Sequence, residues 1–173
     1  MLEGGGDIFL DLCAHDVDYI TDALQDEVVS VYATAMTSRH DPDLIRAGIH
    51  DNAIMVLHFR RGTVATLFMS RSATYGYDQR CEVFGNQGLV SVLNQPETTT
   101  VLADNHGIQH SKLKHSFPQR FEQAFALELD AFANTVLAGE PWPITGEQCV
   151  KVQRVADAAR KSSSEGCVVT ISV

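Results

Sequence analysis

A chain of 173 residues and 19.0 kDa is long enough to bury a sizeable core in one domain of ordinary size. With 45% hydrophobic and 20% charged residues, and no excess of glycine or proline, it is neither disordered nor fibrous. A net charge of −9 opposes nucleic acid or an anionic membrane as partner; no apolar run is long enough to cross a bilayer, and the opening residues lack the basic and apolar regions of a signal peptide, so a cytoplasmic setting is expected.

After Gly4-Gly5-Gly6 the spacing predicts a helix from Asp7 or Ile8 to Leu24 or Gln25. At about 3.6 residues per turn, Phe9, Cys13, Val17, Ile20 and Leu24 make one apolar stripe, and Asp11, His15, Asp18 and Asp22 fall on the opposite side. Residues 28–36 are β-branched and aromatic enough for a strand, which the polar stretch from Ser38 to Asp43 breaks. Three hairpins are expected next: 52–59 with 63–71 through Arg60-Arg61-Gly62, 79–84 with 89–93 through Gly85-Asn86-Gln87-Gly88, and 98–102 with 107–110 around Asp104-Asn105. Together they read as an antiparallel sheet.

From Pro118 to Ala138 the period becomes helical, with Phe121, Phe125, Leu129, Phe132 and Val136 on one stripe and Gly139 placed to end the helix. Thr145-Gly146-Glu147-Gln148 matches a capping box that opens a second helix, with Cys149, Val152, Val155, Ala156 and Ala159 facing inward, and 167–171 closes as a strand. The element order implies an α+β fold: an open, mainly antiparallel sheet with helices on one face. Apolar residues on both sides of the strands at 54–57 and 64–69 call for a cover on the other face, most simply a second copy of the chain. The four cysteines, Cys13, Cys81, Cys149 and Cys167, form no CxxC pair and read as buried free thiols, neither a zinc knuckle nor a redox dithiol.

Asp11 and His15 stand four residues apart, so a carboxylate and an imidazole share a helix face. Such a pair is either a solvated acidic face with an incidental histidine or an acid–base pair in which the carboxylate orients the ring for proton transfer from a hydroxyl. Tyr75 and Tyr77 either pack as strand aromatics or offer phenols that both donate and accept hydrogen bonds. Asp78 and Arg80 alternate with Tyr77 and Gln79 and suit a cross-strand or interface ion pair.

Three segments together resemble the C-terminal domain of the Gfo/Idh/MocA family of nicotinamide-dependent sugar oxidoreductases, the inositol dehydrogenases in particular. These are the glycine lead into Asp11-Leu-Cys-Ala-His15-Asp16-Val-Asp18, the stretch from Ser70-Arg71 through Tyr75-Gly76-Tyr77-Asp78-Gln79-Arg80 to Gly85, and the tail from Arg120-Phe121 through Thr145-Gly146-Glu147 to Ser162. The resemblance covers nearly the whole chain, and the tail marks the fold more than the chemistry. It implies the fold of the C-terminal domains of dihydrodipicolinate reductase and glyceraldehyde-3-phosphate dehydrogenase. It also implies a polyol or sugar substrate, NAD or NADP as cofactor, catalytic roles for Asp11 and His15 beside the hydroxyl being oxidised, and substrate binding by Tyr75 and Tyr77. A homo-oligomer formed through the open sheet face is expected.

The family's nucleotide-binding domain has no counterpart here, since Gly4-Gly5-Gly6 follows no strand and lacks GxGxxG spacing. Nor is there a Glu-Lys-Pro-like segment bearing the family's catalytic lysine, and the domain's own first strand is expected to be missing. The 173 residues therefore read as one substrate-binding and association domain that by itself neither binds NAD nor turns over. Two rivals remain. One is a stand-alone module for dimerisation or polyol binding. The other is a metal-dependent phosphohydrolase of the HD type, suggested by His15-Asp16, His40-Asp41 and His50-Asp51, although such sites use a helical scaffold. His106, His110 and His115 read as solvated histidines around a turn, with no acid placed to support a metal.

Overall fold

The computed structural model describes residues 7–38 and 42–171, so the expectations for Gly4-Gly5-Gly6 and for His40-Asp41 lie outside the described residues. The chain divides into two compact units, residues 1–72 with 144–173 and residues 73–143.

In the first unit a four-stranded antiparallel sheet has the order β3-β2-β1-β8, formed by β1 (Val28–Met36), β2 (Asn52–Phe59), β3 (Val64–Ser70) and the short β8 (Val169–Thr170). The hairpin expected at Arg60-Arg61-Gly62 joins β2 to β3, pairing Ile54 with Phe68 and Val56 with Thr66. Helices α1 (Ile8–Asp11), α2 (Cys13–Leu24) and α6 (Gly146–Glu165) cover one face. Alternation along the strands sends Val31, Ala33, Ala53, Met55, Leu57, Leu67 and Met69 to that face, where they meet Phe9, Cys13, Val17, Val155, Ala156 and Ala159 in the core. The α+β layout is thus as the sequence implies.

The single opening helix is in fact two. Asp7 caps α1, its carboxylate accepting from the Phe9 N–H at 2.8 Å, and the helix breaks at Leu12 before α2 resumes and ends on Gln25 in the left-handed region. The predicted stripe holds across the break: Phe9, Cys13 and Val17 are buried and Ile20 and Leu24 pack against the core. A short helix, α3 (Pro42–Ala47), occupies part of the stretch read as loop, because proline at a first helical position is already in helical φ. Thr145 and Gln148 form the capping box of α6, but Cys149 is exposed rather than inward-facing. Of the four thiols only Cys13 is buried, a correction to the reading of all four as core residues.

The second unit holds two separate hairpins, β4 (Cys81–Gly85) with β5 (Gly88–Val92) and β6 (Val101–Asp104) with β7 (Gly107–His110), followed by α4 (Phe117–Arg120) and α5 (Glu122–Ala138). Both hairpins form, the second from residues 101–104 instead of 98–102 and with its turn at Asn105-His106 instead of Asp104-Asn105, and neither is part of the four-stranded sheet. Gly139 ends α5 in the left-handed region as predicted. The stripe on α5 is not a core stripe: Phe125, Leu129, Phe132 and Val136 are exposed, with Leu129 at 70%, and Thr135 is the buried residue of that helix.

Candidate active site

Asp11 is the last residue of α1 and His15 lies in the first turn of α2, both exposed. The carboxylate is bound by a residue from the far end of the sheet hairpin: Arg71 Nη1 donates to Asp11 Oδ2 at 2.7 Å. Arg71 is placed by its own backbone, whose N–H donates to the Asp51 carbonyl at 2.9 Å where β3 ends beside the start of β2. Asp51 is itself fixed. It is 3% exposed, and its carboxylate accepts from the Ser38 N–H at 2.8 Å and from the Asn52 amide at 2.9 Å. Among the described residues no hydrogen bond joins Asp11 to His15. The expected orienting pair is therefore an Asp11–Arg71 ion pair beside an exposed imidazole, with Asp11 Oδ1 left to accept from another donor.

One neighbour, Cys13, has a structural role. The Cys13 thiol donates to the Phe9 carbonyl at 2.5 Å, and burial, followed by the Asp16 and Asp7 charges, pushes its pKa up to about 12, so it is no nucleophile. Asp18 lines a cleft of about 230 Å³ with Thr21, Glu27, Lys151 and Val155, a cleft whose lining includes neither Asp11 nor His15. Asp51 of the His50-Asp51 doublet is a buried backbone clamp, and His106, His110 and His115 are exposed. Among the described residues no group of three or more His, Cys, Asp or Glu side chains is placed to hold a metal ion.

The second unit carries the Tyr-Gly-Tyr-Asp-Gln-Arg segment, which precedes β4 instead of lying in a strand. Gly76 has φ +133 and is packed so closely that an added Cβ would stand 2.7 Å from Leu113 Cβ; only glycine combines that backbone with that approach. Tyr77 follows, its N–H donating to the Lys114 carbonyl at 2.9 Å and its ring meeting Phe121 edge-on at 5.8 Å. Tyr75 is 61% exposed and donates its hydroxyl to Asp78. Asp78 and Arg80 do form an ion pair, at 2.8 Å, but within one turn and not across strands. Asn94 adds a bond to Asp78 at 2.6 Å.

The GFO/IDH/MocA C-terminal domain pattern matches residues 2–91, more than half of the chain. The chain belongs to the Gfo/Idh/MocA family. Among Gfo/Idh/MocA relatives, the myo-inositol 2-dehydrogenase of Thermotoga maritima is 38% identical over 160 residues, 92% of this chain and 48% of that protein. A crystal structure of a probable dehydrogenase from the same organism superposes with a TM-score of 0.93 at 36% identity, covering 98% of this chain and 51% of the other. The scyllo-inositol dehydrogenase of Lactobacillus casei, solved with bound NAD(H) and scyllo-inositol, gives a TM-score of 0.89 at 27% identity, covering 97% and 49%. The chain thus spans about half the length of the relatives it matches. Two polar residues had no role assigned from sequence, Arg71, which holds Asp11 in the first unit, and Asn94, which holds Asp78 in the second. Each acts on a carboxylate distant in sequence, so neither composition nor periodicity could have signalled it.

Proposed function

We propose that this chain supplies the polyol-binding and association half of a cytoplasmic NAD- or NADP-dependent inositol or sugar dehydrogenase. Asp11 and His15 would carry the catalytic role, and Tyr75 and Tyr77 the substrate-binding role, that the family resemblance implies. The observation that carries the reading is the Arg71–Asp11 ion pair: one carboxylate oxygen is tied to the fold while the other faces outward on the helix pair that also carries an exposed histidine. Similarity to an inositol dehydrogenase solved with polyol and NAD(H) supports the same substrate class.

Oxidation of a secondary alcohol separates a hydride from carbon and a proton from oxygen. His15 accepts that proton at a ring nitrogen, and Asp11 Oδ1 accepts from a polyol hydroxyl or from the imidazolium that results. Tyr75 offers an exposed ring and a phenol oxygen to the hydroxyls of the substrate. The residues of this chain do not fit the dinucleotide: among the described residues no glycine-rich turn joins a strand to the N-terminus of a helix. The chain's own work is therefore to bind the polyol and to take its proton, with NAD or NADP held by the nucleotide-binding domain expected of the family.

A second role, self-association, is favoured by the uncovered sheet face, where Tyr32, Met36, Ile54 and Phe68 are exposed. A thermal-shift titration of the 173-residue chain with myo-inositol, scyllo-inositol and NAD separates the two roles. Stabilisation by a polyol but not by NAD, lost in Asp11→Ala, is the expected result. No shift with either polyol would sink the binding role and leave association.

A further inference from the structure

The Tyr75–Arg80 segment is organised around a single carboxylate. Asp78, with its side chain 15% exposed, accepts from Arg80 Nε at 2.8 Å and Nη2 at 3.0 Å, from Asn94 Nδ2 at 2.6 Å, and from the Tyr75 hydroxyl. Asn94 is fixed in turn, because its Oδ1 accepts from the Gln79 N–H at 2.9 Å and so directs Nδ2 at Asp78. Arginine and the amide nitrogen can only donate, which keeps Asp78 ionised and purely an acceptor. The proton between Tyr75 and Asp78 therefore belongs to the phenol.

We propose that Asp78 is a positioning residue of the polyol site: its carboxylate accepts the hydrogen bond of the Tyr75 O–H and so presents Tyr75 to the substrate as a hydrogen-bond acceptor alone. A phenol has one O–H and two lone pairs, so once the O–H is committed the oxygen can only receive. The group opposite Tyr75 must then be a donor, a free hydroxyl. An ether or a fluorine of similar size is refused there, because two acceptors would face each other without a proton. This rests on the reading of Tyr75 as a polyol-binding residue. The electrostatics agree with the geometry: the Arg80 hydrogen bonds, then those of Tyr75 and Asn94, outweigh desolvation and bring Asp78 down to about 2, and the bond to Asp78 raises the Tyr75 phenol above its ordinary value of 10.0 against the opposing Arg80 charge.

The test has two parts, both on the full chain. The first follows the alkaline titration of Tyr75 by NMR of the tyrosine-labelled protein, with its signal assigned by Tyr75→Phe. The midpoint is expected above 10.0 in the wild-type chain and in Arg80→Met, which keeps the acceptor, and lower in Asp78→Asn. The second measures affinity for myo-inositol and for the series of its monofluoro-monodeoxy analogues. One analogue should bind about tenfold worse than myo-inositol to the wild type, and that penalty should disappear in Asp78→Asn. A Tyr75 midpoint unchanged by Asp78→Asn, or a series in which no analogue's penalty is relieved by Asp78→Asn, overturns the proposal. If the midpoint moves as stated but Tyr75→Phe binds myo-inositol as well as the wild type does, the polyol role of Tyr75 fails while the Asp78–Tyr75 bond stands.

Discussion

Ser162 is fully buried, and its hydroxyl is used twice, accepting from the Ala33 N–H at 2.9 Å and donating to the Cys167 carbonyl at 2.5 Å. It supplies a partner to β1 past the end of β8, which pairs with Ser30 and Val31 only. Ser162→Ala would leave a buried N–H and a carbonyl without that oxygen and should lower stability by about 1–3 kcal/mol, measured by urea unfolding. Neither this bond nor the Arg71–Asp11 pair was legible in the sequence, since 129 residues separate the first pair of partners and 60 the second. The shared face of Asp11 and His15 was legible, because their spacing and apolar stripe are local. Local spacing carries no information on the tertiary arginine that reaches the Asp11 carboxylate.

Among the elements, α6 shows how far local rules reach. Its capping box was readable from four residues, because each member satisfies the backbone or side chain of another within one turn. Thr145→Ala should cost about 1 kcal/mol, again read by urea unfolding. The same helix is tied to the start of β1 by Lys151, which bonds Glu27 at 3.0 Å, and Arg60 holds the other Glu27 oxygen at 2.9 Å. Lys151 hydrogen bonding first, then Arg60, lowers the Glu27 pKa from 4.5, and Glu27, then Glu147, raises that of Lys151 from 10.5. A carboxylate with a lowered folded value stabilises fully above its ordinary value, and an amine with a raised one stabilises fully below its own. The bridge therefore contributes fully between 4.5 and 10.5 and is lost as pH falls through the Glu27 value or rises through that of Lys151. The stability difference between wild type and Lys151→Met should shrink outside that window. The turn at Gly76 is stricter: Gly76→Ala meets both a positive φ and the Leu113 side chain, and should disorder the Tyr75–Asp78 turn, detectable as loss of the raised Tyr75 titration. Helix α5 marks the limit of periodicity, which identifies an apolar stripe but not what the stripe meets. Its phenylalanines at 125 and 132 are exposed.

At the scale of the molecule, the sheet has one face under α1, α2 and α6 and another lined by Tyr32, Met36, Ile54, Val64 and Phe68, with Phe68 72% exposed. If that face associates, Phe68→Glu should shift the chain toward monomer in sedimentation velocity without changing the core, since Phe68 points away from it. An unchanged sedimentation profile of a self-associating chain would place the contact elsewhere. The sequence by itself determined the order of the three hairpins and the two closing helices, the capping box of α6, the Gly139 stop of α5, the helix-covered face of the sheet and the residues of the family motifs. Each of these follows from contacts within a few residues or from alternation along one element. Only the tertiary structure decided that the hairpins stay separate, that Arg71 holds Asp11, and that Asp78 gathers Tyr75, Arg80 and Asn94. Those contacts join charges and hydrogen-bonding groups whose meeting depends on where whole strands end and turns close, a matter on which hydrophobic period carries no information.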